Sequence, residues 1–556
     1  MTAAADTEIH LLPPLNDPAR RWALALMALF PLFYGALAIY LGADASWDLR
    51  NYHWYNAWAY LTGHRHVDLM PSQGQFFLNP WLDVPFYVLA THLPLKAAYF
   101  ILAAVQGLNY ALLFMISYAT LAISKTSQKT PACALLAALG MLGAMDIAEV
   151  GTVFYDNITS LGIFLSALLL LRRLDFMQTA PAKKALGYAT LCGIPGGFVV
   201  GLKMTCASYC VGLCLALLIF TPQMKRCFLL AFCFGLGVLA GFAAAYGHWG
   251  WYLYTQFGSP TFPLFNIIFR SPLLPNDSLL LDYAPPHNWK LLIFPFLFAF
   301  DTSLVNEIAW QDLRIPVLYA LFLWLILQYK LFKKTPAAGT SLSVTGPARF
   351  LLVAGAVSYY CWLLSETVYR YLLPLDMLAP LLIVICIGML PLQRKARGIA
   401  AAVVLAALAV TIQPGDWGRR DRWPEKIASI TPHGFKDASD TMILMAGADP
   451  YAFLLPEFPP QLRFVRIMSR GFPPDADYGI NKLMRAQIDA HKGPLMLFMP
   501  HGYLSMGEVS LQEYGLTLLP NTCRSIHDRL YEERLDKPYE MRNDYPWTYS
   551  LCDVQR

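Results

Sequence analysis

The chain has 556 residues, of which 56% are hydrophobic and only 14% charged. A water-soluble domain carries about 25% charged residues, so the composition excludes an ordinary soluble globule and points to a polytopic membrane protein. A net charge of +5 is too small at this length to mark a nucleic-acid surface, and its meaning lies in which loops hold the basic residues.

Arg20 and Arg21 open an apolar run over residues 22–43. The apolar core of a signal peptide takes about 7–15 residues and a membrane helix about 20. The run is therefore expected to remain as a first span behind a cytoplasmic segment, residues 1–21. Further runs predict spans near 97–124, 131–146, 157–173, 185–202, 204–221, 226–246, 314–331, 349–366, 371–391 and 396–413, about eleven in all. Residues 81–94 are short and carry Asp83 and Pro85, and residues 290–300 fall below a full span, so both read as re-entrant or interfacial helices.

With the N-terminus inside, the inner loops hold Lys125 and Lys129; Arg172, Arg173, Lys183 and Lys184; Lys225 and Arg226; Lys330, Lys333 and Lys334; and Arg394, Lys395 and Arg397. Every inner loop is then basic, as the positive-inside rule requires. Counting 81–94 as a span would break this pattern from Lys125 onward. Residues 44–96, 146–156 and 247–313 and the tail 414–556 fall on the outer face. The tail reads as a separate small α/β domain. Strand-like runs at Met442–Met445, Arg463–Ile467, Pro494–Met499 and Leu516–Leu519 alternate with helix-like segments such as 480–491.

Nine of the eleven cysteines lie in or beside apolar runs and read as small buried hydrophobes. Cys523 and Cys552 lie in the tail and are a candidate disulfide if that region is in an oxidising compartment.

Polar residues concentrate at a few points of the outer face. Asp44 and Asp48 follow the first span, with Asn51, Tyr52, His53, Trp54 and Tyr55 behind them. A carboxylate at the hydrocarbon edge is costly, and here it fits a general base ringed by aromatics that stack on a sugar; an interfacial aromatic belt with helix-capping carboxylates is the other reading. Asp146, Glu149 and Asp156 crowd the loop between the third and fourth spans, as a second acidic wall or as a solvated loop with a cap. Residues 258–266, with Arg270, Asp282 and His287, form an aromatic, Pro-punctuated loop that lines a groove or packs on itself. Arg370 sits at an outer helix end against the positive-inside bias, which a phosphate or carboxylate partner explains. Lys203 divides a long apolar stretch into two spans and is a phosphate-binding point charge or a snorkelling helix end. No Walker loop, nucleophile elbow, His-Glu-x-x-His or dinucleotide fingerprint is present.

An acidic first outer loop, a second acidic loop between the third and fourth spans, amphipathic juxtamembrane helices and an outer C-terminal domain together resemble the GT-C superfamily of integral-membrane glycosyltransferases. Residues Trp47 to Gly63 are similar to the Asp-Glu-x-x-Tyr…Gly segment of the bacterial protein-mannosyltransferase and aminoarabinose-transferase type, with Leu49 after Asp48 where many relatives carry Glu. Tyr369 to Pro374 resembles their late Arg-Tyr-x-x-Pro segment. The resemblance covers roughly residues 20–413. It implies an all-α membrane domain over 22–413 and transfer of a sugar from a polyprenyl-phosphate-linked donor to a hydroxyl on a glycan, lipid or protein.

Under that resemblance Asp48 is the expected general base, with Asp44 second and Asp156 orienting the acceptor or sharing a metal. Arg370 and Lys203 take the donor phosphate. Asn51, Tyr52, His53, Trp54, Glu149 and Tyr369 line the sugar or acceptor site. Carboxylates fit a metal-free reaction and one that uses a divalent cation, for which oxygen ligands suit Mg or Mn. The expected location is a bacterial inner membrane with the tail in the periplasm, and no nucleic acid as partner. A transporter or flippase of a lipid-linked substrate is the alternative, although such proteins gather polar groups at the midplane of repeated halves. A scaffold without activity is the third possibility.

Overall fold

The computed structural model describes residues 9–220, 223–276, 283, 286–332, 345–420, 423–435, 437–528 and 548–556. Asp282, Lys333 and Lys334 lie outside them. The chain is mostly helical, and among the described residues five helical stretches are long and apolar enough to cross a membrane: Pro18–Leu41, Leu95–Thr120, Ala182–Leu202, Met224–Phe257 and Tyr369–Gly388. Shorter apolar helices cover Met204–Leu218, Lys290–Phe300 and Arg314–Gln328. Helices at Thr126–Met141, Asp156–Arg172, Gly346–Leu363 and Arg394–Thr411 fall at the remaining predicted spans.

The predicted elements appear with shifted ends. The run at 81–94 folds as the nine-residue helix Val84–His92, short as its Asp and Pro demand. The run at 226–246 belongs to the 34-residue helix Met224–Phe257, which continues past the apolar window through a stretch without proline and ends just before Gly258, where φ is positive.

Close helix packing rests on small residues. Gly193, Gly197 and Gly201 recur every four residues and face Met224–Phe257, Gly193 against Gly237, Gly197 against Gly241 and Val238, and Gly201 against Phe242 and Ala245. A Cβ on Gly197 would lie 1.9 Å from the Val238 carbonyl oxygen, and one on Gly237 would lie 1.9 Å from that of Thr190. Removing the side chains lets the two backbones touch, which is how helices gain packing in lipid, where apolar burial adds nothing.

The chain divides into two compact units. The first comprises residues 1–40, 100–247 and 281–416 and is helical. The second comprises residues 41–99, 248–280 and 417–556. Residues 417–556 of the tail thus share a unit with all of 44–96 and with part of 247–313. Within that unit Leu69 pairs with Val465 in a β-sheet of the tail, and Leu273 O accepts the Ile480 N–H.

That sheet has six strands: β1 Met442–Ala446, β2 Arg463–Met468, β3 Leu495–Pro500, β4 Thr517–Leu518, β5 Arg524–His527 and β6 Thr548–Gln555. Its order is β2-β1-β3-β6-β4, with β5 also paired to β6. β1 runs parallel to both β2 and β3, and β6 is antiparallel to β3. The helix Gly479–Ala490 connects β2 to β3. Cys523 and Cys552 form a disulfide beside β5 and β6. β5 and β6 were not among the predicted strands, since their runs mix polar and apolar residues.

Candidate functional site

In the second unit the loop after the first span turns on its own side chains. Asp44 accepts the Ser46 N–H at 2.8 Å, and Ser46 Oγ accepts the Leu49 N–H at 3.3 Å. The chain then makes a π-turn, Leu49–His53. Wider π geometry brings residues four and five apart onto one face, and such turns often mark functional sites. Here it gathers Asp48, Tyr52 and His53: the Tyr52 hydroxyl donates to Asp48 at 3.2 Å, and the Tyr52 and His53 rings lie 3.9 Å apart. His53 Nδ1 is 2.6 Å from a carboxylate oxygen of Asp83, at the start of the short interfacial helix. Asp44, Asp48, His53 and Asp83 are all buried.

Two of the expected sugar contacts have other work. Asn51 is fully buried; its amide donates to Ser72 O at 3.2 Å and Gln75 Oε1 at 3.1 Å and accepts from Gln73 at 3.0 Å. Trp54 is buried with its ring 4.5 Å from that of Tyr87. Asn51 therefore holds the loop together and is at odds with direct sugar contact. Further along, Asp68 accepts from Tyr55 at 2.5 Å and from His64 Nδ1 at 3.0 Å. Burial pulls the His64 pKa down, but the Asp68 hydrogen bond and charge outweigh it and the net shift is upward.

In the helical unit the second acidic loop is pinned by Gln106, which donates to the carbonyls of Glu149 and Thr152 and accepts the Gly151 N–H at 2.8 Å. Tyr155 takes a left-handed conformation (φ 64°), and the helix Asp156–Arg172 starts immediately after it. Asp156 is not a side-chain cap. It pairs with Lys203 Nζ at 2.6 Å, and the same ammonium donates to Phe154 O at 2.9 Å. Lys203 Nζ also lies 5.3 Å from the Tyr371 ring centre, and the Arg370 guanidinium lies 5.6 Å from that ring and 4.5 Å from the Phe154 ring. Glu149 is fully buried, and neither of its carboxyl oxygens has a hydrogen-bond partner among the described residues. Burial and the nearby Asp156 charge raise its pKa well above the usual range, against the pull of Lys203 and Arg370.

Tyr369 is fully buried, lies with its ring 4.0 Å from that of Trp310 at a tilt of 41° and donates to Asp376 at 3.1 Å, so it too is at odds with direct sugar contact. It belongs to a cluster that sequence reasoning missed. Arg314, buried at the start of its helix, pairs with Asp312 at 3.0 Å, with Asp146 at 3.2 Å and with Asp376, and donates to the carbonyls of Leu139 and Gly140 at 3.2 Å. Gly143 leaves the room: a Cβ there would overlap the guanidinium at 1.3 Å. The signal that singled out Arg370, an arginine at an outer helix end, was present equally at Arg314.

In the third outer loop Asn266 bonds to the backbone of Ser271, Leu274 and Pro275, which is self-packing. The Cys206, Cys210 and Cys214 thiols are free, on one helical stretch. Among the described residues no group of three or more His, Cys, Asp or Glu is arranged to hold a metal ion. Asp156 is committed to Lys203 and Asp83 to His53, so a donor set for Mg or Mn is not assembled there. No protein-family model matches the chain, and no curated protein matches it.

Proposed function

We propose that this protein is a membrane glycosyltransferase of the GT-C kind that moves a sugar from a polyprenyl-phosphate-linked donor to an acceptor hydroxyl on the periplasmic face of a bacterial inner membrane. The observation that carries the reading is the convergence of Lys203 and Arg370 on the Tyr371 ring, beside Asp156 and the buried Glu149. Two cations at the outer ends of apolar helices fit a phosphate whose lipid tail lies in the bilayer. The basic inner loops support about eleven spans with the N-terminus inside. The folding of residues 41–99, 248–280 and the tail into one unit agrees with placing them on one side.

In the proposed reaction the acceptor oxygen bonds to the anomeric carbon as the carbon–phosphate oxygen bond breaks. The departing phosphate keeps the electron pair, and Lys203 and Arg370 stabilise its charge. Asp48 accepts the hydroxyl proton, since an alcohol is far too weak an acid to ionise unaided at neutral pH. Tyr52, donating to Asp48, orients that carboxylate. Asp44 shapes the turn through Ser46.

The test uses the purified protein in lipid nanodiscs supplied with polyprenyl-phosphate sugars. Wild type is expected to bind polyprenyl phosphate and release sugar to an acceptor, with binding weakened at least about tenfold in Arg370→Met. Unchanged binding in both Arg370→Met and Lys203→Met would sink the phosphate-site assignment.

A further inference from the structure

Ligands of open α/β sheets ordinarily enter at the carboxyl ends of the parallel strands. In this protein Pro71 and Gln73, in the loop after the first span, are bonded to residues at or just beyond those ends of β1 and β2. β2 is an edge strand, and Leu69 extends the sheet by pairing in parallel with Val465: its N–H donates to Phe464 O at 2.9 Å and its carbonyl accepts from Arg466 N at 3.0 Å. Asp68 accepts the Phe464 N–H at 2.8 Å. The buried Arg466 side chain donates to Pro71 O and to Gly447 O, both at 2.7 Å, so it bridges the loop segment to the turn leaving β1.

Gln73 completes the connection. Its amide nitrogen donates to Ala448 O, just after β1, at 2.8 Å, and to Asn51 Oδ1 at 3.0 Å. Its amide oxygen accepts from Arg470 N, just after β2, at 3.4 Å. Asn51 lies inside the π-turn between Asp48 and His53. Met70 and Gln73 both hold positive φ angles, 57° and 59°, which L residues adopt only where the surroundings enforce it. The strained segment thus links two strand ends of the sheet to the one buried amide inside the acidic turn.

We infer that the C-terminal α/β fold acts as a scaffold that fixes the Asp48 turn, with Gln73 as the positioning residue that carries this through Asn51. The carboxyl ends of β1 and β2 are bonded to the chain's own loop. The activity part of this inference rests on the proposed role of Asp48; the structural part does not.

Hydrogen exchange on the full chain in nanodiscs tests it. Gln73→Met keeps the side chain's length and removes its donors and acceptor. Gln73→Glu, the near-isosteric control for folding, keeps an acceptor for Arg470 N but cannot donate to Asn51. Amides of residues 49–56 are expected to exchange at least about tenfold faster in both, as loss of buried hydrogen bonds implies, with β1, β2 and β3 unchanged. In a transfer assay kcat falls while KM for the donor holds. Unchanged exchange at 49–56, or an equal rise throughout the sheet, would overturn the positioning role. Absence of transfer by wild type would remove the glycosyltransferase reading while leaving the exchange result to stand or fall alone.

Discussion

At the scale of single residues, burial decides what each polar group can do. Lys203 and Asp156 are the clearest pair: the carboxylate is buried and the ammonium nearly so, 2.6 Å away. Breaking such a pair leaves a charge without its partner, at a cost of about 3–5 kcal/mol. Lys203→Met is therefore expected to lower stability by about 3 kcal/mol, and Lys203→Met with Asp156→Asn to restore most of it, as read by thermal unfolding in detergent. His64 gives a pH signature. Its folded pKa is raised by Asp68, so it binds its proton more tightly folded than unfolded. The stabilisation is complete below the unfolded value of about 6.5 and is lost as pH rises through the folded value. The Tm of wild type should fall between pH 6 and pH 8, and His64→Gln should flatten that fall; an unaltered slope would exclude His64 as its source. Asp44, Asp48, Asp156, Lys203 and Arg370 were legible in the sequence as polar residues in the wrong place. The engagements of Asn51 and Tyr369 were not, because an amide or a hydroxyl near an aromatic cluster reads alike whether it faces a ligand or the protein's own backbone.

At the scale of elements, apolar runs announced nearly every helix, since a bilayer core imposes length and composition together. Ends were less legible: Met224–Phe257 outruns its apolar window because adding a turn to an existing helix costs little, and no proline stops it. The strands β1 to β4 stood out as apolar runs between turns, whereas β5 and β6 did not. The glycine seam makes a sharp forecast. Gly197→Leu would drive a side chain into the Val238 carbonyl, well beyond the about 1–3 kcal/mol of ordinary overpacking. Monodisperse protein recovered in detergent should drop severely for Gly197→Leu and stay near wild type for Gly187→Leu, where nothing lies within reach of a Cβ. Equal yields would mean that the helices do not pack through this seam. The Arg314 cluster belongs to the same scale, since it ties Asp146, the helix starting at Arg314 and Asp376 to one guanidinium.

At the scale of the whole molecule, sequence periodicity divided the chain at residue 414, whereas the compact units group residues 41–99 and 248–280 with residues 417–556. Leu69 pairs with Val465 and Leu273 O accepts the Ile480 N–H, and long-range pairing of that kind leaves no mark in local composition. The basic residues of the predicted inner loops are the basis of the expected topology. The central claim is that Asp48 supplies the base for sugar transfer. Its most direct test is the rate of transfer from a polyprenyl-phosphate sugar by Asp48→Asn, measured alongside polyprenyl phosphate binding by the same preparation. Loss of transfer by about 10²- to 10⁴-fold with binding retained is the expected result. Transfer at the wild-type rate would contradict it.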